Sequence, residues 1–430
     1  MFTKLEDSLR NFRKVPGAQR TLTPEETYDR VREEARALGV TRLADITGMD
    51  RVGIPTYSAI VPRSRDIISV YTGKGIARID AQVGALMEAI ERQTALRAQP
   101  KIIIGNAEEL RRDYTVLDPR EAKDHLLPDY SETCDYAWLF GQELISQGEI
   151  LVPAMLAGYF WENLLPGPFV RFSSTNGLAA GNVREEAICQ ALCELIERDA
   201  STLADIGAHL LPWVLRRMID PETADEGVDD FEVFQTLELD DDPALELFRR
   251  AGLRPVLHDI TSDLGVPTIH AAVADEAFPS FPMVHGGLGT HPDARVAVRR
   301  ALTEAAQSRC VDIQGVREDL TPASSDRKGF NVHTQRIAKI DRRRWILNES
   351  RVRRNLSALP NAVHDDVQED IDYLLSRLQS CGIHQVIVVD FTPAGAPFAV
   401  VRVIVPELET WSLNHARLGT RALKYWQNHV

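Results

Sequence analysis

The sequence predicts an α+β fold, one interlocked assembly of repeated helix/β-hairpin units with antiparallel or mixed sheets. Three observations predict it: a hairpin pattern recurs three times, a Gly-rich segment leading into a long helix recurs three times, and no low-complexity tract or linker divides them. At 430 residues length alone would allow two or three domains. The interleaved repeats argue for a single unit.

The hairpin copies are ALGVTRLADITGMDRVGIPTYSAIVP (37–62), AGLRPVLHDITSDLGVPTIHAAVA (251–274) and CGIHQVIVVDFTPAGAPFAVVRVIVP (381–406). Each opens with a Gly suited to ending a helix, runs as an apolar strand, and reaches Asp-Ile/Phe-Thr at Asp45, Asp259 or Asp390. A Gly-containing turn then leads to Pro55, Pro267 or Pro397, where a second strand begins. The helix copies are YTGKGIARIDAQVGALMEAIERQTALRAQ (71–99), SSTNGLAAGNVREEAICQALCELIERDA (173–200) and HGGLGTHPDARVAVRRALTEAAQSR (285–309). Aligned, Glu88 matches Glu194 and Glu304, Gly84 matches Gln190 and Arg300, and Glu91 matches Glu197 and Gln307. A Gly-rich turn is expected before each helix.

Residues 1–36 are expected to form an N-terminal helical segment, with Thr23 capping a helix that starts at Pro24. Repeats are expected near 37–99, 151–200 and 251–309, with a further helix/hairpin at 366–410. Residues 201–250 read as helical and acidic, and SSDRKGFNVHT (324–334) as a loop.

Composition narrows the function. Hydrophobic residues at 44% permit a sizeable core, and a net charge of -14 argues against a protein that wraps nucleic acid. The same carboxylates bind polyphosphate once divalent cations lie between them. The five cysteines (Cys134, Cys189, Cys193, Cys310 and Cys381) form no CxxC pair and read as buried small hydrophobes. No signal peptide or apolar run of about 18 residues appears, so the cytoplasm is the expected compartment.

The chemistry concentrates on the helix copies. Glu186, Gln190, Glu194 and Glu197 fall within an arc of about 80° at roughly 100° per residue. The rest of that helix is apolar, which buries it. Carboxylates in a buried strip lose hydration and repel one another, each at a cost of several kcal/mol unless compensated. The sister helix carries Glu88, Glu91 and Arg92, and the third carries Arg300, Glu304 and Gln307. Arginines alone are the competing source of compensation, but six glutamates outnumber Arg92, Arg198 and Arg300. An all-carboxylate site selects a hard cation such as Mg²⁺. The GKG turn (Gly73, Lys74, Gly75) and the TNG turn (Thr175, Asn176, Gly177) offer backbone N–H groups near the helix entries, without forming a P-loop. The histidines show no paired metal spacing, and no Gly-x-Ser-x-Gly elbow is present.

GKGIARIDAQVGALMEAIER, STNGLAAGNVREEAICQALCELIERDA and RRALTEAAQSR resemble the YcaO superfamily along almost the whole chain. The resemblance implies an α+β, YcaO-like ATP-binding catalytic unit over 37–430, with Mg²⁺ and ATP held without a P-loop. It assigns Glu88, Glu91, Glu186, Glu194 and Glu197 to Mg²⁺. Asn182, Gln190, Arg198, Arg300 and Glu304 would line the nucleotide, with Lys74 as a phosphate contact. One departure is Gly84, where the family pattern has Ser.

The implied activity is ATP-dependent activation of a backbone amide in a peptide or protein. A nucleophile attacks the carbonyl, the oxygen is phosphorylated and phosphate leaves. External sulfide gives a thioamide, whereas a Cys, Ser or Thr side chain gives an azoline. The C-terminal LNHARLGTRALKYWQNHV lacks the proline-rich end frequent in azoline-forming members. That favours thioamide formation with a TfuA-like partner, and a homodimer is expected. The alternatives are a cyclodehydratase, a non-catalytic peptide-docking subunit, and a different ATP-using ligase or kinase.

Overall fold

The computed structural model describes residues 12–121, 130–159, 174–210, 214, 234–239, 241–275, 283–315, 344–410 and 418–429. The chain starts with α1 (Pro24–Ala37), β1 (Arg42–Asp45), β2 (Thr56–Ile60), β3 (Val70–Lys74) and α2 (Arg78–Arg97). There follow β4 (Ile102–Gly105), α3 (Ala107–Leu110), β5 (Tyr136–Glu143), β6 (Glu149–Pro153), α4 (Ala154–Ala157), β7 (Leu178–Gly181) and α5 (Arg184–Asp205). The middle contains β8 (Gln235–Glu238), α6 (Pro243–Arg250), β9 (Val256–Asp259), β10 (Thr268–Asp275), β11 (Met283–Thr290) and α7 (Ala294–Gly315). Last come β12 (Arg353–Asn355), α8 (Val367–Ser380), β13 (Ile387–Asp390), β14 (Ala399–Ile404) and α9 (Thr420–His429).

The three expected hairpins form, each antiparallel: β1–β2, β9–β10 and β13–β14. Each follows a helix (α1, α6 or α8) ended by a Gly at positive φ: Gly39, Gly252 or Gly382. The Asp-x-Thr signature has a local cause. Asp45, Asp259 and Asp390 accept from the backbone N–H of Thr47, Thr261 and Thr392 at 3.0, 3.0 and 2.8 Å. Those threonine hydroxyls then accept from the N–H of Thr56, Thr268 and Val400, pinning the second strand.

Each hairpin gains a third strand, and each third strand leads into one of the glutamate-bearing helices. In the first unit β3 pairs with β2 and continues into α2; in another β11 pairs with β10 and continues into α7. The last unit is assembled from separate parts of the chain: β14 pairs with β7, and β7 leads into α5. The register agrees throughout. Thr56 faces Lys74, Thr268 faces Thr290 and Val400 faces Ala180, three positions that precede Glu88, Glu304 and Glu194 by the same spacing. The hairpin without a helix and the helix without a hairpin are therefore two halves of one unit.

These units sit in three sheets, ordered β1-β2-β3, β11-β10-β9-β8-β12 and β4-β5-β13-β14-β7, with β6 also on β5. The pairings are antiparallel except β8 with β12. Each unit has its own core. Val31, Ala35, Tyr71, Ala85 and Ile90 pack in the first, Phe248, Ile269, Ala301 and Leu302 in another, and Leu192, Ile196, Leu374 and Val401 in the composite one.

The structure corrects several expectations. Helix α1, capped at Thr23 as expected, packs Val31 and Ala35 into the first core. Gly73 and Lys74 lie in β3 and HGGLG lies in β11, so these glycines are strand residues rather than turns. Their role is close packing. A Cβ on Gly73 would stand 2.1 Å from Ala81 O and Ala85 N of α2, and one on Gly289 would stand 2.0 Å from Ala297 O of α7. Gly84 faces Gly73 across that contact, and a side chain there would meet the Gly73 backbone at 3.2 Å. The helical reading of 201–250 is interrupted by strand β8. Cys189, Cys193 and Cys310 are buried, whereas Cys134 is exposed and Cys381 intermediate. The 324–334 loop lies outside the described residues. Among those described, no helix is long and apolar enough to cross a membrane.

Candidate functional site

Helices α2, α5 and α7 carry their polar stripes to a common centre, because each packs its apolar faces on its own three-stranded element. Two direct contacts tie the centre together: Lys74 Nζ on β3 donates to Glu304 Oε2 on α7 at 2.7 Å, and Arg300 Nη1 on α7 donates to Gln190 Oε1 on α5 at 2.9 Å. Gln307 adds a third, donating from Nε2 to Thr72 O at 2.6 Å.

Equivalent glutamates are used differently. Glu88 accepts from Thr72 N–H at 2.9 Å and from Arg92 at 3.4 Å, and Glu304 accepts from Leu288 N–H at 3.2 Å. Glu194, their counterpart on α5, accepts no hydrogen bond among the described residues, and neither do Glu91 and Glu197. Burial pushes the Glu91 carboxyl well above the usual range, and the like charge of Glu194 pushes it further. Glu194 is raised chiefly by burial, against the opposing pull of Arg198, Arg402 and Arg300. Glu197, only 4% exposed, is pushed up to about 7 by burial and then by Glu304. Burial also raises Glu304, but Lys74, Arg198 and the Leu288 N–H outweigh it and hold this carboxyl below its ordinary value.

The cationic side is equally unfinished. Arg198 is flanked electrostatically by Glu197, Glu194 and Glu304, yet its Nε is buried without a hydrogen-bond partner. Asn182 Oδ1 is buried and unpartnered as well. A donor and an acceptor are thus left buried without a partner, each at a cost of about 1–3 kcal/mol.

Glu186 stands apart from the other predicted metal ligands. It is 1% exposed, and both oxygens are occupied: Oε1 by Thr21 N–H (2.6 Å) and hydroxyl (2.7 Å), Oε2 by Asn182 N–H (2.9 Å) and Nδ2 (3.2 Å). In this geometry it anchors the loop before α5 to the N-terminal segment. The other four predicted metal ligands do not converge as one chelate either, since no group of three His, Cys, Asp or Glu side chains among the described residues is placed to hold a single ion.

Sequence reasoning missed three contributors. Arg20 reaches Gln190 Oε1 at 3.4 Å and Thr21 holds Glu186, but both lie in a segment without a motif. Arg402 on β14 donates to the carbonyls of Ala157, Asn176 and Ser174, and its charge draws down Glu91 and Glu194. Its signal was legible, an arginine inside the apolar strand AVVRVI. A cleft of about 580 Å³ between β8, β9 and the Glu349–Arg353 segment contains none of the predicted residues. Two of its three arginines, Arg254 and Arg353, pair with Glu349, and Arg249 donates to Leu239 O at 3.4 Å.

A family model described as YcaO cyclodehydratase, ATP- and Mg²⁺-binding, matches residues 72–409. The chain belongs to the YcaO family. It is 36% identical over 404 residues to an uncharacterized protein of Methanothermobacter thermautotrophicus, covering 93% of this chain and 97% of that one. An uncharacterized protein in the tfuA 3′ region of Rhizobium leguminosarum bv. trifolii is 32% identical, with 94% and 92% covered. Among solved structures, YcaO from Methanopyrus kandleri bound with AMPPCP and Mg²⁺ matches with a TM-score of 0.69 and 26% identity, covering 93% of this chain and 95% of that one. This YcaO protein is an ATP-dependent enzyme that modifies peptide or protein backbones, with ATP and Mg²⁺ as cofactors.

The residues present fit that group. The donor set at the centre is oxygen-rich, which suits Mg²⁺ over softer metals. Dispersed carboxylates also suit it, because Mg²⁺ takes one or two carboxylates and completes its octahedron with phosphate oxygens and water. Arg198 Nε and Asn182 Oδ1 provide the unpaired donor and acceptor that a nucleotide would satisfy.

Proposed function

We propose that this YcaO protein uses ATP to exchange the oxygen of a peptide or protein backbone amide for sulfur, giving a thioamide. The observation that carries the nucleotide part is the trio Glu91, Glu194 and Glu197 on two helices, Glu197 buried and the other two half-buried, none of which accepts a hydrogen bond among the described residues. Glu88, Glu91, Glu194 and Glu197 would hold Mg²⁺. Bound Mg²⁺ neutralises charge on the transferring phosphoryl group. Arg198, Arg300 and Lys74 would donate to phosphate oxygens, while Asn182, Gln190 and Glu304 line the nucleotide. Glu186 would act through Asn182 and Thr21 instead of binding metal.

Sulfide adds to the amide carbon, the amide oxygen accepts the γ-phosphoryl group, and that oxygen departs in phosphate as the C=S bond forms. ADP and phosphate are the other products. The tfuA-region relative supports the sulfur chemistry, and with it a TfuA-like partner. The proposed setting is the cytoplasm, with the enzyme as a homodimer. The family's cyclodehydratase description supports a second reading, azoline formation on Cys, Ser or Thr of a precursor peptide.

Mass spectrometry separates the two. The purified protein would be incubated with a candidate peptide, Mg²⁺, ATP, sulfide and the TfuA-like partner. A gain of about 16 Da marks thioamide formation, and a loss of about 18 Da marks azoline formation and refutes the first reading. Glu194→Gln should abolish either product together with Mg²⁺-dependent ATP binding, and retained binding would refute the site assignment.

A further inference from the structure

We propose that the C-terminal helix α9 is a positioning element of the nucleotide site, latched through Arg421 to Asp199 on the back of α5 so that Glu197 and Arg198 are held toward the phosphates. The inference rests on reading that centre as the Mg²⁺–ATP site. Asp199 is fully buried and follows Glu197 and Arg198 directly in α5. At about 100° per residue it points roughly 180° away from the middle of the glutamate stripe. It therefore grips the helix from behind.

The grip is a closed circuit of directional contacts. Asp199 Oδ1 accepts from Arg421 Nε at 2.9 Å and from Glu409 N–H at 3.0 Å, and Oδ2 accepts from Arg421 Nη2 at 2.9 Å. Glu409, itself 1% exposed, turns its carboxylate to the start of α9, accepting from Gly419 N–H at 2.7 Å and Ala422 N–H at 3.0 Å. That places an anion where the first turn of a helix leaves its amides unpaired. Arg421 also reaches Asp263 Oδ1 in the β9–β10 turn at 2.6 Å, joining the composite unit to its neighbour.

The position matters because of what surrounds it. Immediately after Asp205 the helix widens into a π-turn at Ile206–Leu210, so the last turns of α5 are not continued by regular helix. Arg198 makes no ion pair within its own site among the described residues, so its aim follows the setting of α5, which Glu186 and Gln190 fix near the start of the helix and Asp199 fixes beside Arg198. Apolar contacts on that helix resist separation but tolerate rotation, whereas a two-point guanidinium–carboxylate contact fixes the angle. A roll of the helix turns Asp199, Arg198 and Glu197 together by the same angle, so pinning the first sets the direction of the other two.

The test uses the full chain and titrates Mg²⁺–AMPPCP by calorimetry into wild type, Arg421→Gln, Arg421→Lys and Leu423→Ala, with urea midpoints measured in parallel. Arg421→Gln should weaken nucleotide affinity about 10- to 100-fold, as loss of a ligand-orienting partner does. Arg421→Lys should recover part of it, and Leu423→Ala, exposed on the same helix, should match wild type. Calorimetric stoichiometry reports the folded fraction, so affinity is read from folded molecules only. A lowered urea midpoint with unchanged affinity in Arg421→Gln would make the contact purely structural and overturn the latch. Absence of binding by the wild type would instead overturn the site reading on which the latch rests.

Discussion

Replacing Glu197 by Gln should stabilise the nucleotide-free protein above neutral pH, although the substitution removes a charge from the heart of the site. Glu197 is almost fully buried on α5, and its carboxyl is pushed from 4.5 up to about 7, first by burial and then by Glu304. The folded state thus holds a proton that the unfolded chain releases. Stability is highest below about 4.5 and falls as pH rises toward 7, by 1.36 kcal/mol per unit of difference, about 3 kcal/mol in all. An amide cannot ionise, so that loss should be missing from the variant. The assay is urea denaturation of both proteins from pH 5 to 8.5 without nucleotide or Mg²⁺. Wild type should weaken across this range relative to Glu197→Gln, and saturating Mg²⁺–ATP should recover wild type alone. Parallel pH profiles, or a variant less stable than wild type at pH 8, would refute the claim that this carboxylate is stored without compensation.

Glu186→Gln should do the opposite and destabilise at neutral pH, by roughly 1–3 kcal/mol, because an NH₂ group would face donors from Thr21 or Asn182; a urea midpoint equal to wild type would contradict this. Gly73→Ala should cost about 1–3 kcal/mol or more, since its Cβ cannot occupy the gap to Ala81 and Ala85 on α2; a soluble variant with an unshifted midpoint would show that α2 is not pressed on β3. Thr21→Val should remove one donor from Glu186 and weaken Mg²⁺–ATP binding modestly, measured by calorimetry, while leaving the Glu197 pH profile in place.

Sequence periodicity made the glutamate stripe of α5 legible, because residues three and four apart must share a helix face whatever the tertiary fold. Apolar residues on the rest of the circumference also pointed to burial, which the structure gives in full to Glu186 and Glu197 and in part to Gln190 and Glu194. The Asp-x-Thr signature revealed three hairpins for a similarly local reason, an aspartate bonding the amide two residues on. Partnership could not be read this way. Arg20 and Thr21 lie more than 160 residues from the α5 positions they contact, and Arg402 lies at a comparable remove from the carbonyls it binds. Such contacts leave no periodic mark on the chain.

What the sequence determined by itself was the inventory: three hairpins, three helices with acidic or polar stripes, and carboxylates too many for the nearby arginines. Only the tertiary structure decided how these combine. It paired β14 with β7 to complete the third unit from separate stretches, and it separated Glu186, satisfied by four donors, from Glu91, Glu194 and Glu197, which have none among the described residues. The reason is physical. Local pattern fixes which face a side chain occupies, whereas its charge environment depends on which other elements close over that face.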